Sequence, residues 1–312
     1  MWYSVEGTLS HKALADHVDP GLRADPAKPN LLTPSTTLRH LSPYLGTEVH
    51  GVQLSQLSNA GLDELALFVA LRKVVAFRDQ NLKELSPEKQ LEWSSYFGRS
   101  HVHPIAVNVK DYPALAVVYR DDENPGFIDH VLATQINHTG WHSDVSYERQ
   151  PPGTTAFYIL DGPGVGSDTL FLLKVETYRR LSLEFQKRLI GLKAVHTAVP
   201  QAANSLKSGL PIRRDPFETE HPVVRVHPVT KEKALYVNPG FTKSIVGFKK
   251  EESDALLGFL FDHITKGSDL PSTCFDNRVT AHSAIPDFDR KKRRHHIRLT
   301  PQAEVSIAAD EM

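Results

Sequence analysis

Short runs of apolar or alternating residues, bounded by Gly, Pro, Asn and Asp, recur along the chain. They predict strands over residues 74–77, 114–119, 155–160, 169–173, 223–227, 234–237 and 294–299. Helical periodicity is confined to residues 61–74, 86–97 and 251–265. The second of these has Ser86 as N-cap, Pro87 at the first helical position and Gly98 just past its end. The third carries Leu256, Leu257, Leu260, Phe261 and Ile264 on one stripe. Many short strands, few helices and Gly/Pro turns predict a mostly β fold with flanking helices, a double-sheet jelly roll. Residues 1–35 contain Pro20, Pro26, Pro29 and Pro34 without periodicity and read as an irregular leader. No linker divides residues 36–312, which read as one domain, and no internal repeat is present.

Composition narrows the function classes. With 312 residues the chain can bury a full core, and 40% hydrophobic and 23% charged residues are ordinary for a globular protein. A net charge of −1 gives no pull toward nucleic acid or an anionic membrane, so neither is expected as a partner. The single Cys274 excludes an intramolecular disulfide and suits a reducing compartment. No apolar stretch approaches the ~18 residues of a membrane span, and the first residues lack a signal-peptide pattern. A cytoplasmic protein is expected, with the oligomeric state, homo-oligomer included, left open.

Candidate chemistry begins at Trp141-His142-Ser143-Asp144 and continues at Asp276-Asn277-Arg278-Val279-Thr280-Ala281-His282. Residues i and i+2 of a strand share a face, with Cβ atoms roughly 6–7 Å apart. His142 and Asp144 on such a strand can grip one metal ion, with His282 as third ligand. Two His and a carboxylate on one side of an octahedral Fe(II) leave the other side open to cosubstrate and dioxygen. Taken alone, the pair is weak: sixteen His and thirty-seven acidic residues produce such spacings by accident. A half-buried imidazole satisfied by a neighbour is the plain alternative.

A second candidate is Arg293-Arg294-His295-His296-Ile297-Arg298. The plain reading is a solvated basic run. Strand character at Ile297 and Leu299 argues otherwise, and period two places Arg294, His296 and Arg298 on one face. Guanidinium groups aimed into a barrel call for an anion, most naturally a bidentate carboxylate. Arg290, Lys291 and Lys292 are left on the surface. His101-Val102-His103-Pro104 is a third candidate, with no carboxylate or Cys nearby in sequence to make it a metal site.

Several further segments follow in series: Pro151-Pro152-Gly153-Thr154-Thr155, Asp168-Thr169-Leu170-Phe171, His221-Pro222-Val223-Val224-Arg225, Tyr236-Val237-Asn238-Pro239-Gly240-Phe241 and Asp276-Asn277-Arg278. With the candidates above, they resemble the taurine dioxygenase family of Fe(II)- and 2-oxoglutarate-dependent oxygenases over residues 38–303, particularly its sulfonate dioxygenases. The resemblance implies a double-stranded β-helix with the metal at one end of the barrel. It implies that His142, Asp144 and His282 hold Fe(II), with 2-oxoglutarate and O2 as cosubstrates. Arg294 and Thr169 would bind the distal carboxylate of 2-oxoglutarate. His103 and Arg298 would face the anionic group of the primary substrate, a small organic anion. The implied reaction hydroxylates the carbon bearing a sulfonate and releases aldehyde and sulfite, with succinate and CO2 from the cosubstrate. Phe241 reads as barrel core, with the pocket wall as the alternative.

Two departures qualify the match. The taurine-specific family enzyme has a sulfonate-binding Tyr three residues after the position of His103, and this chain has Ala106 there, leaving room for a larger sulfonate. Residues 265–275 are also shorter than the family pattern by roughly 8–9 residues, about one strand and its turn. The expectation is a barrel lacking one strand between Leu270 and Cys274, with Thr273 at the stub of the next and a risk that His282 is displaced. The rival function is a non-catalytic barrel that keeps metal or anion binding because that segment is missing. A zinc hydrolase using the same three ligands is a weaker rival, because no general base is evident.

Overall fold

Alternation along residues 294–299 decides where the core and the site lie. The computed structural model describes residues 3–4, 13–123, 140–207, 212–265, 269–271, 274–285, 287 and 292–311. In it Ile297 and Leu299 join a core with Val75, Leu115 and Val117 of neighbouring strands and Leu62, Leu65 and Phe68 of a covering helix. Arg294, His296 and Arg298 take the opposite face by the two-residue period of a strand. One face is therefore stability and the other chemistry.

Strands β1 (Tyr3–Ser4), β2 (Thr37–His40), β3 (Thr47–His50) and β4 (Val74–Phe77) come first. They are followed by β5 (Val107–Val109), β6 (Tyr112–Arg120), β7 (Thr154–Asp161) and β8 (Thr169–Leu173). Next are β9 (Lys193–Thr197), β10 (Glu218–Pro222), β11 (Val224–Val226), β12 (Lys233–Leu235) and β13 (Thr242–Ile245). The last are β14 (Asp269–Pro271), β15 (Cys274–Asp276), β16 (Thr280–Ala284), β17 (Arg294–Leu299) and β18 (Ile307–Ala308). Helices are α1 (Asn59–Arg72), α2 (Pro87–Ser95), α3 (Lys174–Arg179), α4 (Leu183–Leu189), α5 (Val199–Lys207) and α6 (Lys250–Thr265).

The large sheet has nine strands in the order β1-β5-β6-β17-β7-β15-β4-β3-β2. Only the β3–β4 pair in it is parallel. Three smaller antiparallel sheets, β10-β9-β13, β12-β11-β18 and β14-β8-β16, supply a second core with α6. Leu257, Leu260 and Ile264 of α6 pack there beside Trp141, Leu172, Val224 and Leu235. Ser86 caps α2 as its sequence predicts, its side chain accepting from the Lys89 amide. Ser58 does the same for α1, accepting from the Gly61 amide.

The stretch after α6 carries two three-residue strands. β14 pairs with β8, and β15 sits between β4 and β7 inside the large sheet. Ser272 and Thr273 lie outside the described residues, as do Arg290 and Lys291 of the basic run. Within the leader, residues 13–35 pack against the body. Leu31 is fully buried in the first core, and Gln150 exchanges hydrogen bonds with the Ala15 backbone at 2.9 and 2.7 Å. No helix among the described residues is long and apolar enough to cross a membrane.

Candidate metal centre

Residues 142–144 do not form the regular strand that their spacing suggests. His142 makes a single antiparallel bridge to His282 of β16, amide to carbonyl at 3.1 and 2.8 Å. Past it the chain enters a turn over residues 144–147, with Val145 at φ +41°. Side-chain amides replace the missing sheet partners. The Asp144 N–H donates to Asn277 Oδ1 at 2.6 Å, and Asn277 Nδ2 donates back to the Asp144 carbonyl at 3.1 Å. Between the two, the Ser143 N–H donates to Asn238 Oδ1 at 3.0 Å. A β-branched residue at positive φ is a strained backbone, sustained because these neighbours over-determine it.

The three proposed ligands meet. Their candidate donor atoms all lie within 4.8 Å of one another. Nε2 of His142 is 3.7 Å and Nε2 of His282 is 3.8 Å from Asp144 Oδ1. His142 Nδ1 is 2.6 Å from the Gly140 carbonyl, which can only accept, so Nδ1 carries a proton and Nε2 is the nitrogen left to face the cluster. Burial first, then the charge of His142, pushes the His282 pKa down to about 3, so this imidazole is neutral at working pH. Burial opposes ionisation of Asp144, but Arg298 and the two imidazoles outweigh it and hold the carboxyl well below the usual range. Asp144 Oδ2 and His282 Nδ1 are buried without a hydrogen-bond partner. A carboxylate with an orphaned oxygen beside two imidazoles fits a divalent cation, and the thiol-free donor set matches a catalytic rather than a structural metal.

Arg298 donates through Nη1 to Asp144 Oδ1 at 2.5 Å, and its Nε is buried without a partner. The basic strand thus reaches the ligand cluster directly. Arg294 is 8% exposed, its Nε has no partner, and no carboxylate among the described residues pairs with it. Burial, and then Arg120 opposite it on β6, lowers its pKa to about 10, so it stays a cation seeking an anion. Thr169 is half-buried at the start of β8, opposite Ala284, with no hydrogen bond to Arg294. His103 is buried, and its Nδ1 accepts from the Ile105 and Ala106 amides at 3.2 and 3.1 Å. Burial, followed by the Arg298 charge, holds its pKa well below the ordinary value, which leaves a neutral ring with Nε2–H as donor.

Several residues of this region carry no sequence signal. Arg213 braces the His103 loop from behind, donating to the carbonyls of His103 and Ala106 at 3.1 and 2.5 Å. Glu148 is bonded by His101 at 3.1 Å and by Arg214, and these two outweigh burial to push its pKa down to about 2. Phe241, already noted in the sequence, packs in a buried cluster with Val145, Tyr147 and Ala198 and lies edge-on to His142, ring centres 5.9 Å apart. Lys174, Asn238 and Asn277 stand behind the ligand turn. The two asparagines belong to segments noted in the sequence, but nothing there marks their amides as backbone partners.

Comparison with known proteins decides the family. The model of the "Taurine catabolism dioxygenase TauD, TfdA family" matches residues 37–270. The chain belongs to that family. Its relatives include the "Alpha-ketoglutarate-dependent dioxygenase cnsP" of Penicillium expansum, 45% identical over 313 residues, 94% of this chain and 82% of that protein. The "Alpha-ketoglutarate-dependent sulfonate dioxygenase" of Saccharomyces cerevisiae is 39% identical over 302 residues, 93% of this chain and 73% of that protein. Among solved structures, a "Putative Alpha-ketoglutarate-dependent Taurine Dioxygenase" from Burkholderia xenovorans superposes with a TM-score of 0.71 at 30% identity, covering 89% of this chain and 96% of its own. This TauD/TfdA-family member is a 2-oxoglutarate-dependent dioxygenase with the taurine dioxygenase fold, mostly sheet with a few helices. The family uses 2-oxoglutarate and O2, and the His142, Asp144 and His282 cluster fits the iron it requires.

Proposed function

We propose that this dioxygenase oxidises a small organic sulfonate, taurine-like or a longer alkylsulfonate, to an aldehyde and sulfite. In this reading His142, Asp144 and His282 hold Fe(II), Arg294 with Thr169 anchors the distal carboxylate of 2-oxoglutarate, and His103 with Arg298 takes the sulfonate. Bound ferrous iron supplies the means of coupling dioxygen reduction to oxidative decarboxylation of the cosubstrate. One oxygen atom ends in succinate and the other on the substrate carbon, whose C–S bond then breaks to give aldehyde and sulfite. The chain's own task is to orient and exclude water. Arg294 fixes one anion from the barrel wall, while the unpartnered Nε of Arg298 and the Nε2–H of His103 offer donors to the other.

The observation that carries the reading is the convergence of three metal-ligating atoms within 4.8 Å beside a guanidinium already on Asp144. The sulfonate itself is supported by the name of the yeast relative and by the donors facing the cluster. The Penicillium expansum relative carries no substrate in its name, so the substrate class rests on chemistry. The decisive assay loads the full chain anaerobically with Fe(II) and offers taurine, longer alkylsulfonates, sulfate esters and aryloxyacetates with 2-oxoglutarate and O2. Sulfite and succinate should appear together with an alkylsulfonate and vanish in Asp144→Ala. Succinate that rises only with a sulfate ester or an aryloxyacetate would overturn the sulfonate. Tight metal binding with no succinate at all would leave a non-catalytic barrel.

A further inference from the structure

Lys174 is the one lysine with no exposed surface among the described residues, and nothing in the reaction above uses it. It begins α3 directly after β8, its amide donating to the Val279 carbonyl at 2.9 Å. Its Nζ donates to Ser143 Oγ at 2.8 Å and to Asn238 Oδ1 at 2.8 Å, and lies 4.9 Å from the Tyr236 ring centre. The amine thus meets two acceptor oxygens and a π face. No salt bridge among the described residues reaches it. A buried amine is costly to desolvate, and a methionine of the same length would fill the space without that cost. What the amine adds is its hydrogen bonds.

Those bonds converge on one peptide unit. Ser143 sits between His142 and Asp144, and its hydroxyl also donates to the Thr280 carbonyl at 2.6 Å, two residues before His282. Asn238, the second acceptor for Lys174, receives the Ser143 amide and passes its Nδ2 to Ser146 at 2.9 Å. Ser146 in turn contacts His196 Nδ1 at 2.9 Å. The ligand turn has no sheet ladder past His142, so its height and tilt depend on side chains. Asn277 grips it at Asp144, and Lys174 grips it at Ser143, through the hydroxyl directly and through Asn238 at the amide.

We infer that Lys174 is a positioning residue for the metal centre, setting through Ser143 and Asn238 the peptide unit from which two of the three ligands project. The inference rests on the assignment of His142, Asp144 and His282 as the metal site. Outer partners that orient ligands typically change metal affinity by about 10- to 100-fold when removed. Lys174→Met keeps the volume of the stem, leaves Ser143 bonded to Thr280 and Asn238, and removes only the donors. A residue that merely filled the core would alter the melting temperature and leave metal affinity alone. A positioning residue does the reverse.

The test is anaerobic titration of the full apo chain with Co(II), followed by its visible absorption, with thermal melting of each apo variant alongside. Lys174→Met should bind Co(II) about tenfold more weakly, with an apo melting temperature equal to or above that of the natural chain. Ser143→Ala should show a similar loss, and the double variant should lose about tenfold in total, because both substitutions cut one link. Lys174→Met that matches the natural chain overturns the inference, as do losses that multiply to about a hundredfold in the double variant. Should Lys174→Met fail to fold, unchanged affinity in Ser143→Ala overturns it equally. If the natural chain itself binds no Co(II), the metal assignment falls first and the inference goes with it.

Discussion

Arg294 and Glu148 show how single side chains in this fold are set by what surrounds them. Arg294 is a buried cation with no carboxylate partner among the described residues, and one strand position carries it into the barrel. If a carboxylate of 2-oxoglutarate is its partner, Arg294→Ala removes charge-assisted bonds worth about 1.5–3 kcal/mol. That corresponds to a KM for 2-oxoglutarate raised about ten- to hundredfold, with kcat little changed because the contact is made equally in ground and transition states. The apo variant should melt no lower than the natural chain, since a desolvated charge has been removed. An unchanged KM in steady-state kinetics would mean that the anchor lies elsewhere. Glu148 is the opposite case, a carboxylate over-supplied with donors. Its folded pKa of about 2 lies below its ordinary value of 4.5, so its contribution is complete above pH 4.5 and is lost as pH falls toward 2. The linked term is on the order of 2–3 kcal/mol. Denaturant melts should show the stability gap between the natural chain and Glu148→Gln closing progressively as pH falls from 5 toward 2. Parallel acid sensitivity of the two proteins would remove Glu148 from the account.

At the level of elements, what the sequence makes legible is what obeys a period. Residues 74–77, 169–173 and 294–299 form strands with those bounds because alternation or a short apolar run is preserved in each. Helices α3 and α4 escape because six and seven residues are too few to show a stripe, although Ser182 caps α4 in the usual way. Strand β16 escapes for a different reason. Thr280, His282 and Ser283 are buried polar residues, so apolar patterning is absent where the candidate chemistry is densest. The ligand types could be read from Trp141-His142-Ser143-Asp144, but the turn that holds them could not, because it is built by amides distant in sequence. Asn277 is the clearest example, serving the Asp144 amide, the Asp144 carbonyl and the Pro152 carbonyl at once. Asn277→Ala leaves buried backbone groups unsatisfied at about 1–3 kcal/mol each and should lower the melting temperature by roughly 4–8 °C. A melting curve that does not move would show that water replaces the amide and that the turn stands without it.

Across the whole molecule, the leader and the site are joined through one buried guanidinium. Arg278 is 1% exposed and donates to Asp276 through Nε and Nη2, both at 2.8 Å. Its Nη1 bonds Asp19 of the leader and reaches Glu304 at 3.4 Å. Asp276 is further held by His227 at 2.7 Å. Asp276, Asn277 and Arg278 are consecutive, so the residue that grips Asp144 lies between two members of an ion network that starts near the other end of the chain. Removing one partner of a buried ion pair is costly, about 3–5 kcal/mol when the remaining charge is stranded. In Asp19→Ala the guanidinium keeps Asp276 and Glu304, so the loss should be smaller, on the order of 2 kcal/mol and roughly 3 °C in melting temperature. Because Asp276 still fixes Asn277 through its neighbours, Co(II) affinity should stay within about twofold, the ordinary scale of uncoupled distant sites. An unchanged melting temperature would make the leader a passenger on the barrel. A large fall in Co(II) affinity would instead make it part of the metal centre, with the loss at Arg278 passing through Asn277 to Asp144.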